Sequence, residues 1–138
     1  MGQYFRPSEI IRCFGLNTLS IECLSCYLGG YHLEDYFIDF AQNEGIAPTL
    51  CSYHKTFVGA MDSGAVPAPD YAVTTSLSCD GNLNTFRYLE KKKGVPFSFL
   101  DVLRGRSGFC GLSGGAAARL CERTGKRTGR TLEEQNAL

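Results

Sequence analysis

The chain has 138 residues, of which 43% are hydrophobic, with 14 basic and 14 acidic side chains and seven cysteines. This length suits one domain with a core of its own, and the hydrophobic fraction excludes a disordered chain. The zero net charge argues against a protein built mainly to bind nucleic acid, and every uncharged run is too short for a membrane span.

The N-terminal residues indicate a cytoplasmic protein. Met1 to Cys13 has no apolar region of the kind that signal peptides contain, and Glu9 places a charge early. Because the number of cysteines is odd and no export signal is present, a disulfide framework is not expected. Metal binding, redox chemistry or simple burial remain as explanations for the seven cysteines.

Apolar residues at helical spacing predict helices in the first half of the chain. One covers residues 20–28 and another covers residues 34–44, and both are followed by glycine. A further helix is expected after Cys51, with Ser52 as its N-cap.

The second half begins with the clearest architectural signal. Residues 71–76 are rich in β-formers, 79–82 predict a turn, 82–93 a helix that stops at a glycine, and 95–101 a second apolar strand. A strand, a helix and a strand over residues 70–102 form a βαβ unit, whose strands pair in parallel with a right-handed crossover. The expected fold class is therefore α/β, with a small open, mostly parallel sheet flanked by helices around a Rossmann-like βαβ core.

A domain boundary is expected at residue 102. Residues 1–102 form the α/β domain, and residues 103–138 form a glycine- and arginine-rich segment in which five glycines interrupt a helical pattern. A capping box at Thr131 predicts a helix that starts near Leu132. The segment 104–130 has seven basic residues, which form either a solvated face or a site for an anionic partner.

Cys51 and Cys79 occupy equivalent positions, because each follows an apolar segment and opens a predicted helix. Ligands of parallel sheets bind beyond the carboxyl ends of the strands, and a helix N-terminus stabilises an anion such as a thiolate. Gly81 allows a sharp turn and a close approach to a cofactor. A buried cysteine in a tight turn is the alternative for Cys79, and His54 and Lys55 are expected to be incidental.

The remaining cysteines give weaker signals. Cys23 and Cys26 form a CxxC pair, but they lie inside a predicted helix on one shared face, which favours packing in the core over a redox or zinc site. Cys13, Cys110 and Cys121 have no partners nearby in sequence and are interpreted as small hydrophobic residues.

Two segments resemble the 2-hydroxyacyl-CoA dehydratase family, which also includes benzoyl-CoA reductase subunits. They are GIAPTLCSYHKTFVGA at residues 45–60 and PAPDYAVTTSLSCDGNLNTFRYLEKKKGVPFSFLDV at residues 67–102. As in that family, a Cys-Ser-Tyr element opens one helix, and a Pro-x-Pro-Asp strand leads to a second cysteine. The resemblance therefore covers the N-terminal part of the family only, from about Gly45 to Val102.

The resemblance implies an iron–sulfur subunit of a cytoplasmic lyase. In the family, a [4Fe–4S] cluster is held by two cysteines at these positions and a third far downstream, and one iron stays open to substrate. An ATP-hydrolysing activator protein donates one electron, which forms a ketyl radical anion on the acyl-CoA substrate and allows its hydroxyl to leave as water. By this resemblance Cys51 and Cys79 are cluster ligands, and Ser52 and Tyr53 are catalytic residues that line the site.

The third ligand of the family has no counterpart in this chain. Leu103 replaces a usual proline, and the glycine-rich residues 105–118 replace an expected helix. The resemblance therefore implies a fragment or degenerate copy, inactive alone, that needs a second homologous subunit or a missing C-terminal portion.

Three alternatives stay open from the residues. One is a double-cubane-type reductase related to the same family. Another is a non-catalytic scaffold or assembly domain whose cysteines only pack, and the last is a redox or zinc-binding module that uses Cys23 and Cys26.

Overall fold

The computed structural model describes residues 11–76, 79–101 and 114–129. In chain order these contain α1 (Ile21–Gly30), α2 (Glu34–Asn43), α3 (Ser52–Asp62), β1 (Ala72–Thr75), α4 (Asp80–Lys93), β2 (Phe97–Leu100) and α5 (Gly114–Thr128). The expected α/β class is confirmed as a set of helices with a small, open, parallel sheet. Within the described ranges, no helix has the length and apolar character that crossing a membrane requires.

The two strands form the predicted parallel pair. Ala72 lies opposite Phe97 and Thr75 lies opposite Leu100, with α4 connecting the strands. Gly94 ends α4 with a φ of 67°, a left-handed conformation that glycine adopts without strain. The βαβ unit is thus confirmed, while the larger Rossmann-like core stays a prediction because the sheet of the described residues has two strands.

Two helix starts differ from the expectation. α4 begins at Asp80 with Cys79 as its N-cap, so residues 79–82 are the first turn of the helix rather than a separate turn. α3 is capped by Cys51 and not by Ser52, because the Cys51 carbonyl already accepts hydrogen bonds from the backbone N–H groups of His54 and Lys55.

The helix α3 lies at the centre of the core. Every residue from His54 to Met61 is buried, although the sequence pattern predicted only one apolar side. The helix packs against α1 and α2 and also contacts α4, so its polar side is covered as well. The main core cluster of buried side chains comprises Ile21, Ala41, Phe57, Val58, Met61, Ala72, Phe86, Leu89 and Val95.

The helix α5 was not predicted, since its segment was expected to be interrupted by glycines. Leu120 is fully buried and packs with Tyr71, Val73 and Leu100 on the sheet. Burying such a side chain contributes about 1.5–3 kcal/mol, which offsets the cost of about 1 kcal/mol for Gly125 inside the helix, while Gly114 and Gly115 lie in its first turn. The helix expected near Leu132 lies outside the described residues.

Candidate functional site

The side chain of His54 joins α3 to the start of α4. Its Nε2 atom lies 3.4 Å from the Cys79 sulfur, and its Nδ1 atom lies 2.9 Å from the hydroxyl oxygen of Thr85. The ring is 5% exposed, whereas Cys79 is exposed. Burial lowers the pKa of His54, and the negative charge of Glu22 offsets only part of this effect, so the ring is neutral near pH 7.

The same contact brings the N-termini of two helices together. Cys51 caps α3 and Cys79 caps α4, and neither sulfur accepts a capping hydrogen bond from its own helix. His54 lies three residues after Cys51, in the first turn of α3, and touches Cys79. Both cysteines are exposed, so the geometry leaves two thiols accessible at neighbouring helix N-termini.

Gly81 makes room for His54. An added Cβ atom at this position would lie 3.1 Å from Cδ2 and Nε2 of the His54 ring and 3.4 Å from the Cys79 sulfur. Gly81 belongs to α4 and has no positive φ, so the sharp turn proposed for it is wrong. Glycine is favoured here because a side chain would press on the imidazole.

Asn82 adds an unusual group beside these residues. It is 1% exposed, and neither Nδ2 nor Oδ1 of its amide has a hydrogen-bond partner among the described residues. Since almost all buried polar groups in proteins are hydrogen-bonded, this amide stands out among the polar groups in the first turn of α4.

Ser52 and Tyr53 lie on a different feature, a cavity of about 320 Å³ between α1, α2 and the start of α3. The Tyr53 hydroxyl lies 3.3 Å from the Cys26 sulfur, and the Ser25 hydroxyl donates to the Tyr53 carbonyl at 2.8 Å. The full lining consists of Ser25, Cys26, Gly29, Glu34, Ser52, Tyr53 and Thr56. The cavity shares no residue with the contact between His54 and Cys79.

The CxxC cysteines do not pack in the core. Cys23 and Cys26 share a face of α1 as predicted, but both are exposed. The buried face of α1 carries Ile21, Ser25 and Leu28, which are spaced four and three residues apart and do not include either cysteine.

The other cysteines partly follow the expectation. Cys13 is buried, in agreement with its interpretation as a small hydrophobic residue, and Cys121 is half-buried. Cys110 lies outside the described residues. Within 11–76, 79–101 and 114–129, no group of three or more His, Cys, Asp or Glu side chains is arranged to hold a metal ion.

Sequence reasoning missed the role of His54. It was expected to be incidental, whereas it is buried between Cys79 and Thr85; Lys55, by contrast, only donates to the Pro48 carbonyl at 2.9 Å. The sequence feature that could have indicated this contact is the position of His54 in the first turn after Cys51, close to where a second helix begins.

Comparison with known proteins gives a relative and a family. The (R)-2-hydroxyisocaproyl-CoA dehydratase alpha subunit of Clostridioides difficile is 22% identical to this chain over 101 residues. The match covers 70% of this chain and 25% of the relative, so the chain spans about a quarter of the length of that protein. A family model described as 2-hydroxyglutaryl-CoA dehydratase, D-component, matches residues 3–136. The resemblance found around Cys51 and Cys79 is thereby confirmed, and the chain belongs to the 2-hydroxyglutaryl-CoA dehydratase D-component family.

Proposed function

We propose that this chain is an iron–sulfur subunit, or part of one, of a 2-hydroxyacyl-CoA dehydratase-like enzyme. The observation that carries the proposal is the pair of exposed thiols, Cys51 and Cys79, at the N-termini of two helices that His54 connects. Family membership and the name of the relative support the same reaction class, the removal of water from a 2-hydroxyacyl-CoA.

The residues at this edge of the sheet fit part of a [4Fe–4S] site. Cys51 and Cys79 would hold the cluster, because thiolates are its usual ligands and helix N-termini favour their negative charge. The buried amide of Asn82, which has no hydrogen-bond partner among the described residues, supports a bound group close to the first turn of α4. A third ligand would come from a longer chain or from a second homologous subunit.

The bound cluster would supply one-electron chemistry, received from an ATP-dependent activator protein, to the acyl-CoA thioester. The contributions of this chain are orientation and electrostatics. Backbone N–H groups of the first turns of α3 and α4 face the cap positions and stabilise negative charge there. Ser52 and Tyr53 would line the approach of the substrate from the cavity that they share with Cys26.

Iron loading tests this proposal directly. The full chain is produced without oxygen and reconstituted with iron and sulfide, and bound iron and the thiolate-to-iron absorbance are measured with and without a second subunit of the family. We expect the wild type to bind about four irons per chain. Cys51→Ala and Cys79→Ala should each lose most of this iron.

Cys23→Ala is the matched control, since Cys23 is also an exposed cysteine but lies in α1. This variant should load as the wild type does. If the Cys51 and Cys79 variants bind as much iron as the wild type, neither residue is a ligand. A wild type that takes up no iron in either condition would contradict the cluster itself and favour a non-catalytic scaffold.

A further inference from the structure

We propose that His54 is a positioning residue for Cys79, which it holds by donating the hydrogen on Nε2 to the sulfur, in a tautomer that Thr85 fixes. The inference deepens the proposed function and rests on it only where Cys79 acts as a ligand. The hydrogen bond itself is a property of the chain without any bound group.

The Thr85 hydroxyl determines the tautomer. Thr85 is 3% exposed, so its hydroxyl hydrogen must find an acceptor inside the protein. Threonine in a helix often donates to the carbonyl four residues earlier, as Thr128 does to Thr124, but Thr85 makes no such bond. Among the described residues its partner is Nδ1 of His54, at 2.9 Å.

The position of the second ring hydrogen follows from this bond. A neutral imidazole carries a hydrogen on one nitrogen and a lone pair on the other. When Nδ1 accepts from the Thr85 hydroxyl, the hydrogen is on Nε2, which faces the Cys79 sulfur at 3.4 Å. The Cys79 sulfur therefore receives a hydrogen bond from the imidazole.

The packing around His54 makes the arrangement rigid. The ring is buried on α3, its far side is held by Thr85 of α4, and Gly81 leaves just enough space for it. A donor held in this way restrains the rotamer of Cys79, which is otherwise an exposed side chain. Cys51 provides an internal comparison, because it is also an exposed N-cap but its thiol has no side-chain partner among the described residues.

A hydrogen bond to a ligand sulfur has a known consequence for bound metal centres. It withdraws electron density from the sulfur and raises the reduction potential of an iron–sulfur group. Where Cys79 acts as a ligand, His54 would thus make the centre easier to reduce, and loss of the imidazole would make it harder to reduce.

Nitrogen-15 NMR of the metal-free full chain tests the tautomer. The chain has two histidines, so labelling with ¹⁵N-histidine gives two sets of ring signals, and His32 serves as the exposed reference. We expect the His54 signals to place the hydrogen on Nε2 and the lone pair on Nδ1. In Thr85→Val this preference should be lost, whereas Thr85→Ser should keep it.

Rotamer couplings in NMR spectra test the restraint on Cys79. In the cysteine-labelled, metal-free chain, three-bond couplings to the β-hydrogens report whether the χ1 angle of Cys79 has one value, and Cys51 is the comparison within the same molecule. We expect a single rotamer at Cys79 in the wild type and averaging over several rotamers in His54→Leu. His54→Gln should restore part of the restraint, because its amide can donate at similar reach, and His32→Leu should leave it unchanged.

The outcomes separate this inference from the proposed function. A hydrogen on Nδ1 of His54, or an unchanged Cys79 rotamer in a folded His54→Leu variant, would overturn the positioning role even if the chain binds iron. Conversely, the expected tautomer and rotamer in a chain that loads no iron would keep the positioning role and refute the cluster. In an iron-loaded chain, a reduction potential that does not fall in His54→Leu would also contradict the inference.

Discussion

Gly59 of α3 lies so close to Phe37 of α2 that an added Cβ atom would overlap the Phe37 carbonyl oxygen and approach its carbon to 2.7 Å. The contact involves backbone on both sides, so neither helix can give way by turning a side chain. The close approach of α2 and α3 therefore depends on the absence of a side chain at residue 59.

Gly59→Ala should destabilise the protein by about 2 kcal/mol or more, because the backbone must move to accept the methyl group. Urea unfolding followed by circular dichroism measures this change. Gly30→Ala is the matched control, since Gly30 is also helical and has open space around its Cα atom. That variant should be neutral or slightly more stable, and similar losses in both would contradict the close packing.

Leu120→Ala tests whether α5 is part of the same folding unit as the sheet. Leu120 is fully buried against Tyr71, Val73 and Leu100, so we expect a loss of about 2–4 kcal/mol in one cooperative transition. Arg119→Ala, at the exposed neighbouring position, should change stability by less than about 0.5 kcal/mol. A separate early transition for α5 would instead support the boundary predicted at residue 102.

The loss of folding stability at low pH should depend on Asp62. Its side chain is 1% exposed and lies 2.9 Å from the Lys92 ammonium and 3.3 Å from that of Lys93. Burial alone raises the pKa of this carboxyl, but the hydrogen bonds from Tyr88 and Lys92 together with the ion pair to Lys93 outweigh it and hold the pKa below its usual value.

Because the folded pKa of Asp62 is lowered, its contribution is fully present above the unfolded value near 3.8 and is lost as the pH falls through the folded pKa. Asp62→Asn should therefore cost about 1–3 kcal/mol at neutral pH and progressively less below about pH 4. Chemical unfolding at several pH values measures the difference. A cost that stays constant down to pH 2 would contradict the ion pairs.

Thiol accessibility should follow burial. Under native conditions iodoacetamide should modify the exposed Cys23, Cys51 and Cys79 readily, whereas the buried Cys13 should react at least about a hundredfold more slowly. Mass spectrometry of the digested protein over time gives these rates. Addition of urea should abolish the difference, and rapid native labelling of Cys13 would contradict its buried position.

Gly81→Ala should disturb the site while changing stability little. Alanine favours a helix by about 1 kcal/mol relative to glycine, and the crowding of His54 acts in the opposite direction. We expect the ring signals of His54 in ¹⁵N spectra to shift, with a free energy of unfolding within about 1 kcal/mol of the wild type. Unchanged His54 signals would show that the ring has more space than the geometry indicates.

Local patterns predicted the elements well where periodicity and helix stops agree. The strands β1 and β2 follow from runs of β-forming and apolar residues, the helix between them follows from helical apolar spacing, and Gly94 ends α4 as expected. The burial of α3 on all sides was not predictable, since it depends on which neighbours cover its polar face. Cys23 and Cys26 were correctly predicted to share one face of α1. This face was assigned to the core but is exposed, because the neighbours of a helix are not visible in its own sequence.

The positions of Cys51 and Cys79 at helix starts were predicted, whereas the contact that His54 makes was not. Cys51 and Cys79 do cap two helices, because strand and helix ends are visible in the sequence. The contact between His54 and Cys79 joins residues 25 positions apart, and no sequence period specifies which loops meet at the edge of a sheet. Thr85 was equally invisible, since its role depends on the ring that reaches it.

The first turn of α3 also links two places that share no residue. Tyr53 faces the cavity beside Cys26, its carbonyl is tied to Ser25 of α1, and the next residue, His54, reaches Cys79. Tyr53 and His54 are consecutive residues of one helical turn, so a wall of the cavity and the contact to the Cys79 sulfur belong to the same structural element. A single turn of α3 thus presents one side chain to the cavity and the next to the thiol.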